Sequence, residues 1–420
     1  MKKTYLQATL AIMLSISSLV SNAQFSLSGE IRPRVEFRNG FKTLNTADNS
    51  ATAFVEQRTR LNFGFKRDRI STKISLQDIR MWGNTAQIYK TDPSLTNVFE
   101  AYGSYQISDR TSITVGRQAL SYDNERFFGI LDWAQQSRSH DLAKFSYKDS
   151  LGFTLDFGAG FNQNLDAEPS KLSSTFYSGT ANYKTMQYLW LHKDFNNAKF
   201  SLLAVNDGRQ KADSTTAFKQ TIGLYGEQKF GPVNLHEEAF YQTGRSTASA
   251  NVSAFLLAFS ASFPKIFSSP EIGIDYLSGS EAGSTKEKAF DPSFGTNHKF
   301  YGFMDYFYVG NPHGQNGKTT GLIDIYLNTK IKTGKRSALI LNIHQFNSPA
   351  DMWSGTEQLS NSLGQEIDLV FNLNIMPDLN FKAGYSQLFS TASMEAIKSS
   401  TNKGANQWAW TMLTFTPKFL

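Results

Sequence analysis

Two short segments near the start of the chain carry arginines at alternate positions: Arg32 and Arg34 in EIRPRVE (30–36), and Arg58 and Arg60 in EQRTRLNFGF (56–65). A guanidinium group is a planar fork of N–H donors that grips a carboxylate through paired hydrogen bonds, so four together suit an anionic solute. If the two segments are antiparallel neighbours joined symmetrically through 39–53, Arg34 stands opposite Arg58 and Arg32 opposite Arg60. Like charges set face to face cost stability. Either a bound anion or the acids Glu30, Glu36 and Glu56 on the same faces must offset that cost. In the first reading the arginines line a solute path; in the second they are rungs of a ladder that stiffens a wall.

A second concentration of charge is GRQALSYDNERFFGILDWAQQSRSHD, residues 116–141, which holds Arg117, Asp123, Glu125, Arg126, Arg138 and Asp141. A merely solvated loop has no need of so much paired charge. Arg117 shares parity with Ile113 and Val115. Either a bulge turns it inward or it sits above the lipid band, because Arg facing lipid at the bilayer midplane costs about 2–4 kcal/mol. Catalytic readings have less to stand on. There is no Cys, and the six His residues (140, 192, 236, 298, 313 and 344) show no metal-ligand spacing. Only His298 and His313 share a loop, where Asn311-Pro312-His313-Gly314 reads as a turn. A formal net charge of +6 gives no more than mild basicity, so no nucleic-acid partner is expected.

The elements that position these residues have a period of two. In 25–38, Phe25, Leu27, Ile31, Val35 and Phe37 alternate with Ser26, Ser28, Glu30, Arg32, Arg34, Glu36 and Arg38. That pattern is a strand with one apolar and one charged face. Segment 151–161 repeats it, as do 365–374 and 379–388. Eighteen such segments run from 25–38 to 407–418, with 185–193 and 198–206 alternating poorly. Tight turns such as Arg67-Asp68, Asp149-Ser150, Gly231-Pro232 and Pro377-Asp378 alternate with long polar loops, among them 39–53, 81–97, 119–140, 162–184, 278–318, 347–364 and 389–406. Short links at one end and long ones at the other are the habit of outer-membrane barrels. The expected fold is therefore all-β: a transmembrane antiparallel β-barrel of about eighteen strands, apolar face to lipid, polar face to a lumen too wide for side chains to fill. A secreted sandwich or propeller is the alternative, but its second face would lack a core. Lys2 and Lys3, the apolar stretch Leu6–Val20 and Ser21-Asn22-Ala23 read as a signal peptide over 1–23, leaving 24–420 as one barrel domain exported to the outer membrane.

The 116–141 segment resembles the signature of the alginate-export family of outer-membrane proteins. There a Gly-Arg-Gln strand end leads into Asp-x-x-Arg-x-x-Gly, a Trp and a later Arg-x-x-Asp. The matching residues are Gly116-Arg117-Gln118, then Asp123 with Arg126 and Gly129, Trp133, and Arg138 with Asp141. EIRPRVE, EQRTRLNFGF, QDIRMWG (77–83) and HKFYGFMDYF (298–307) are similar too. The resemblance implies an eighteen-stranded barrel whose electropositive, Arg-rich constriction passes a polyanionic polysaccharide outward, with loops as gates and periplasmic secretion partners.

Together these readings lead to a monomeric outer-membrane pore for anionic polysaccharide or other anionic solutes, without catalysis, metal or cofactor. Its solute path is expected along Arg32, Arg34, Arg58, Arg60, Arg117, Arg126, Arg138, Asp123 and Asp141, with inward acid at Glu56, Asp156, Glu366 and Asp368. A general or solute-uptake porin, a structural barrel closed by its loops, and a lipid-hydrolysing barrel enzyme are the alternatives.

Overall fold

Alternation in the first strand sorts its side chains by face. Ile31 and Val35 are 44% and 47% exposed, whereas Arg32 and Arg34 between them are 4% and 3% exposed. The same split runs through a computed structural model that describes residues 24–47, 50–84, 95–162, 183–211, 213, 215–307, 313–315, 317–402 and 404–420. The expected signal segment, the Asn311-Pro312 turn and most of the 162–184 loop lie outside the described residues. Eighteen strands form one antiparallel sheet. They are β1 (Gln24–Asn39), β2 (Thr52–Arg67), β3 (Ile70–Met81), β4 (Thr96–Ser108), β5 (Thr111–Gln118), β6 (His140–Lys148), β7 (Phe153–Phe161), β8 (Thr185–Asp194), β9 (Ala198–Gln210), β10 (Thr216–Phe230), β11 (Val233–Arg245), β12 (Asn251–Ser262), β13 (Glu271–Leu277), β14 (Leu322–Lys332), β15 (Ser337–Asn347), β16 (Ser362–Met376), β17 (Leu379–Ser390) and β18 (Asn406–Phe415).

Each strand pairs with its sequence neighbours, and β18 pairs with β1 to close the cylinder. Closure matters because an unpaired edge in hydrocarbon leaves backbone groups without partners. The seam ladder runs from Asn39↔Gln407 to Arg34↔Met412 and resumes at Ile31↔Phe415. It skips Arg32-Pro33, where proline has no N–H to offer. No helix among the described residues is long and apolar enough to cross a membrane, so the strands alone do so. The outward rows carry the exposed apolar side chains, such as Ile222, Leu224, Phe255, Leu257 and Phe259.

The β1–β2 pairing corrects the symmetric expectation. The partners are Glu30↔Arg60, Arg32↔Arg58 and Arg34↔Glu56, because Arg38 pairs with Thr52 and β2 begins two residues earlier than expected. A slip of two keeps every side chain on its face. It reduces the opposed like charges to the single pair Arg32 and Arg58, and sets acid against base on either side.

Candidate functional site: a plug clamped between two charged walls

After β5 the chain turns into the barrel. Gly116 has φ +124°, and a Cβ there would lie 2.3 Å from the Ala101 carbonyl oxygen, so only glycine fits this strand end. The following loop, 119–139, crosses the lumen and bonds to both walls.

On the β1–β2 side it presents Asp132. One carboxylate oxygen lies 3.0 Å from Arg58 Nη2 and 3.6 Å from Arg60 Nη1, and the other 3.3 Å from Arg32 Nη1. Arg32 also donates to Gln135 Oε1 from Nε at 3.2 Å and Nη2 at 3.1 Å. Arg34 donates to the Trp133 carbonyl at 2.7 Å, and Arg58 to that of Gln135 at 3.2 Å. The wall's own acids take the remaining donors: Glu30 lies 2.6 Å from Arg58, and Glu36 and Glu56 lie 2.7 and 3.0 Å from Arg34. Burial opposes charge on Asp132, but Arg58 and Arg32 more than offset it and hold its carboxyl below the usual range. Trp133 is sandwiched, with the Arg34 guanidinium 4.2 Å from its ring and the His298 ring stacked at 4.7 Å.

On the far side the loop presents Arg126, which is 2% exposed. It donates to Asp275 of β13 at 2.6 Å, contacts Glu238 of β11 at 3.3 Å and donates to the Tyr301 hydroxyl at 3.0 Å. Its guanidinium lies 3.8 Å from the Phe300 ring centroid. Burial alone would weaken its hold on the proton, but Asp275 and Glu238 reverse that and keep it charged. Between the two ends, Tyr122 bonds to Asp156 and Tyr188, and Asp123 accepts from Trp190 at 3.1 Å and Ser201 at 2.5 Å.

A second inserted segment, 289–307, braces the first. Thr296 Oγ donates to Glu125 at 2.6 Å, and Gly129 N–H donates to the Phe294 carbonyl at 2.9 Å. A Cβ at Gly129 would lie 2.2 Å from Thr296 Oγ1, which is the physical reason for glycine at this point of the signature. The Met304 N–H donates to Glu366 of β16 at 2.7 Å. His298 pairs with Asp305 at 2.8 Å and His313 meets the Gly321 carbonyl, so these two histidines do not form a ligand pair. Among the described residues no cluster of His, Asp and Glu could hold a metal.

The expected path residues thus divide. Arg32, Arg34, Arg58 and Arg60 face inward but lie beneath the loop. Asp123 and Arg126 are part of the plug, and Arg138 anchors it by donating to the Gly295 carbonyl at 2.8 Å. Arg117 and Asp141 require a correction. They pair at 2.7 Å across β5 and β6, with exposures of 41% and 53%. They share the outward face of Val115 and Ala143 at the loop end of the strands, so no bulge turns Arg117 into the lumen. Sequence reasoning missed Asp132, Gln135, Glu238, Asp275 and the second insert, whose signal was an aromatic-rich run, FDPSFGTNHKFYGFMDYF, in a nominally polar loop.

This geometry agrees with a comparison by sequence profile: the profile described as alginate export matches residues 23–406. The chain belongs to the alginate export family. It is a bacterial outer-membrane pore protein. None of the curated protein sequences matches it significantly. Among solved structures, OpdK of Pseudomonas aeruginosa shares 10% identity, covering 94% of this chain and 99% of its own, with a TM-score of 0.61. OccK9 (OpdG) of the same organism is similar at 11% identity, the same coverages and TM-score 0.61. OccAB3 of Acinetobacter baumannii shares 9% identity over 94% of this chain and all of its own, at TM-score 0.59. These likenesses concern the barrel, not its cargo.

The buried insert changes what the 278–318 loop offers to a protease. Trypsin added to intact cells is expected to cut after exposed Lys286 and to leave the bonds after Arg126 and Arg138 whole. Peptide mapping by mass spectrometry checks this, and early cleavage after Arg126 would mean that the plug is not docked.

Proposed function

We propose that the barrel conducts carboxylate-bearing carbohydrate and is narrowed at rest by its own loop, which yields the path when solute carboxylates take the guanidinium groups of Arg32, Arg58 and Arg60 from Asp132. The observation that carries this reading is the grip of three guanidinium groups on one loop carboxylate. A uronate offers the same group in the same charge state, so it competes for the same donors. Membership of the alginate export family supports a polyuronate as the cargo and outward passage as its direction.

The decisive variant is Asp132→Asn in a planar bilayer. Loss of the competing charge is expected to lower the oligogalacturonate concentration for half-block by about tenfold, corresponding to roughly 1.4 kcal/mol, while Asp132→Glu stays near the unaltered protein. If Asp132→Asn leaves the block unchanged, the carboxylate-exchange reading falls. Two other readings have some support. OpdK has been crystallised with vanillate, a small carboxylate, which favours a pore for small acids, and block by monogalacturonate as strong as by the oligomer would select it. The depth of the plug favours a closed structural barrel, and silence of both Asp132 variants in folded, inserted protein would select that.

A further inference from the structure

The lumen has a second wall that the guanidinium reading does not use. Below the plug, near the turn end of β10–β15, lies a cavity of about 330 Å³, the lower part of the range typical of small-molecule sites. Its lining combines four carboxylates, from Glu227, Glu271, Asp275 and Asp324, with Arg126, Lys299 and two histidines. Asp324 pairs with His344 and Glu227 with Lys199, both at 2.9 Å, which leaves Glu271 as the carboxylate without an ion-pair partner among the described residues. Arg126 is already matched by Asp275 and Glu238, and Lys299 donates to the Asn124 carbonyl at 3.0 Å. A carboxylate entering here would find acceptors like itself.

The donors and acceptors point the other way. Asn328 Oδ1 has no hydrogen-bond partner among the described residues, and Glu271 stands directly opposite it across β13 and β14. Both residues line the cavity, Glu271 with a carboxylate and Asn328 with an amide whose oxygen is buried and unmet. Apolar platforms flank them. The Tyr326 ring lies flat across the wall at Gly273, where a Cβ would meet its Cζ at 2.3 Å. Phe300 of the plug borders the same space. Acceptors ready for O–H or N–H donors, set beside aromatic faces that can cover C–H surface, suit one kind of small solute.

We infer that this cavity is a binding site for a sugar that carries hydroxyl or ammonium donors and no carboxylate. It goes beyond the proposed uronate path, because it uses the opposite wall and needs none of Arg32, Arg58 or Arg60. Its net negative lining favours an amino sugar over a neutral one.

The test uses the full chain in detergent and saturation-transfer NMR with three probes: cellobiose, the glucosamine disaccharide and digalacturonate. Saturable transfer is expected to the first two, with the glucosamine disaccharide bound more tightly. Tyr326→Ala should weaken both by about fivefold, the size of one lost aromatic contact, and Glu271→Gln should remove the advantage of the amino sugar. Tyr326→Ala should leave digalacturonate transfer unchanged, which separates failure here from failure of the uronate path. Heat-modified gel mobility certifies each barrel as folded. If Tyr326→Ala does not fold, Asn328→Leu replaces it with the same expected loss. No saturable transfer from either sugar, transfer indifferent to Tyr326 or Asn328, or digalacturonate bound as tightly at this site overturns the inference.

Discussion

An Arg126→Met pore is expected to conduct several-fold more current than the unaltered protein and to flicker between levels. Arg126 is the guanidinium by which the plug meets β11 and β13, and its removal strands Asp275 and leaves Glu238 with His236 and Asn124, both carboxylates being buried in the wall. Breaking a buried ion pair by deleting one partner costs about 3–5 kcal/mol, because the remaining charge has lost its compensation. That cost falls on the docked state alone, since an undocked loop would let water reach both carboxylates. The barrel should survive, as its ladders do not depend on the loop. The control is the triple change Arg126→Met with Glu238→Gln and Asp275→Asn, which removes the stranded charge and should bring the conductance most of the way back. Single-channel recording on folded, inserted protein is the measurement. An unaltered conductance in Arg126→Met would show that the β1–β2 grip and the second insert hold the plug without it.

That insert explains where the strand pattern weakens. Segments 185–193 and 198–206 alternate poorly, and the structure supplies the cause. Inward Met186, Tyr188, Leu203 and Val205 belong to an apolar cluster with Phe127, Phe128 and Phe294 of the two inserts, and Tyr188 packs on Phe128 at 5.1 Å. These strands are apolar on both faces because one meets lipid and the other meets the plug. Elsewhere the period of two located every strand, since water in the lumen and hydrocarbon outside sort side chains locally. The plug is different in kind. Its contacts join residues far apart in sequence, such as Arg126 with Asp275 and Thr296 with Glu125, and no local period encodes them. What could be read locally was the demand: charge at 123–141 without an evident partner; that side chains at Gly116 and Gly129 would collide is seen only in the fold.

The second large effect concerns the wall that holds Asp132. Replacing Arg32 and Arg58 together with Glu is expected to turn the pore cation-selective and to release the loop. The two arginines are direct cross-strand partners, and each contacts Asp132. Reversing both sets two glutamates beside Asp132 and Glu30, so the attraction that docked this end of the plug becomes repulsion. Clustered fixed charge behind a low-dielectric wall concentrates counterions, and here the favoured counterion changes sign. Lumen substitutions tune selectivity more than they destabilise a barrel, and the pair can still reach Arg34 and Arg60 on the same wall. The measurement is the reversal potential across a planar bilayer under a salt gradient, at two ionic strengths, because screening shortens the reach of the charge. Arg32→Gln with Arg58→Gln separates the two roles of the arginines. If they only brace the wall, the Gln pair should release the loop while leaving ion preference where it was. If they also form the path, the Gln pair should lose anion preference and oligogalacturonate block, and the Glu pair should reverse that preference. A Glu pair that stays anion-selective would remove the guanidinium wall from the conduction path.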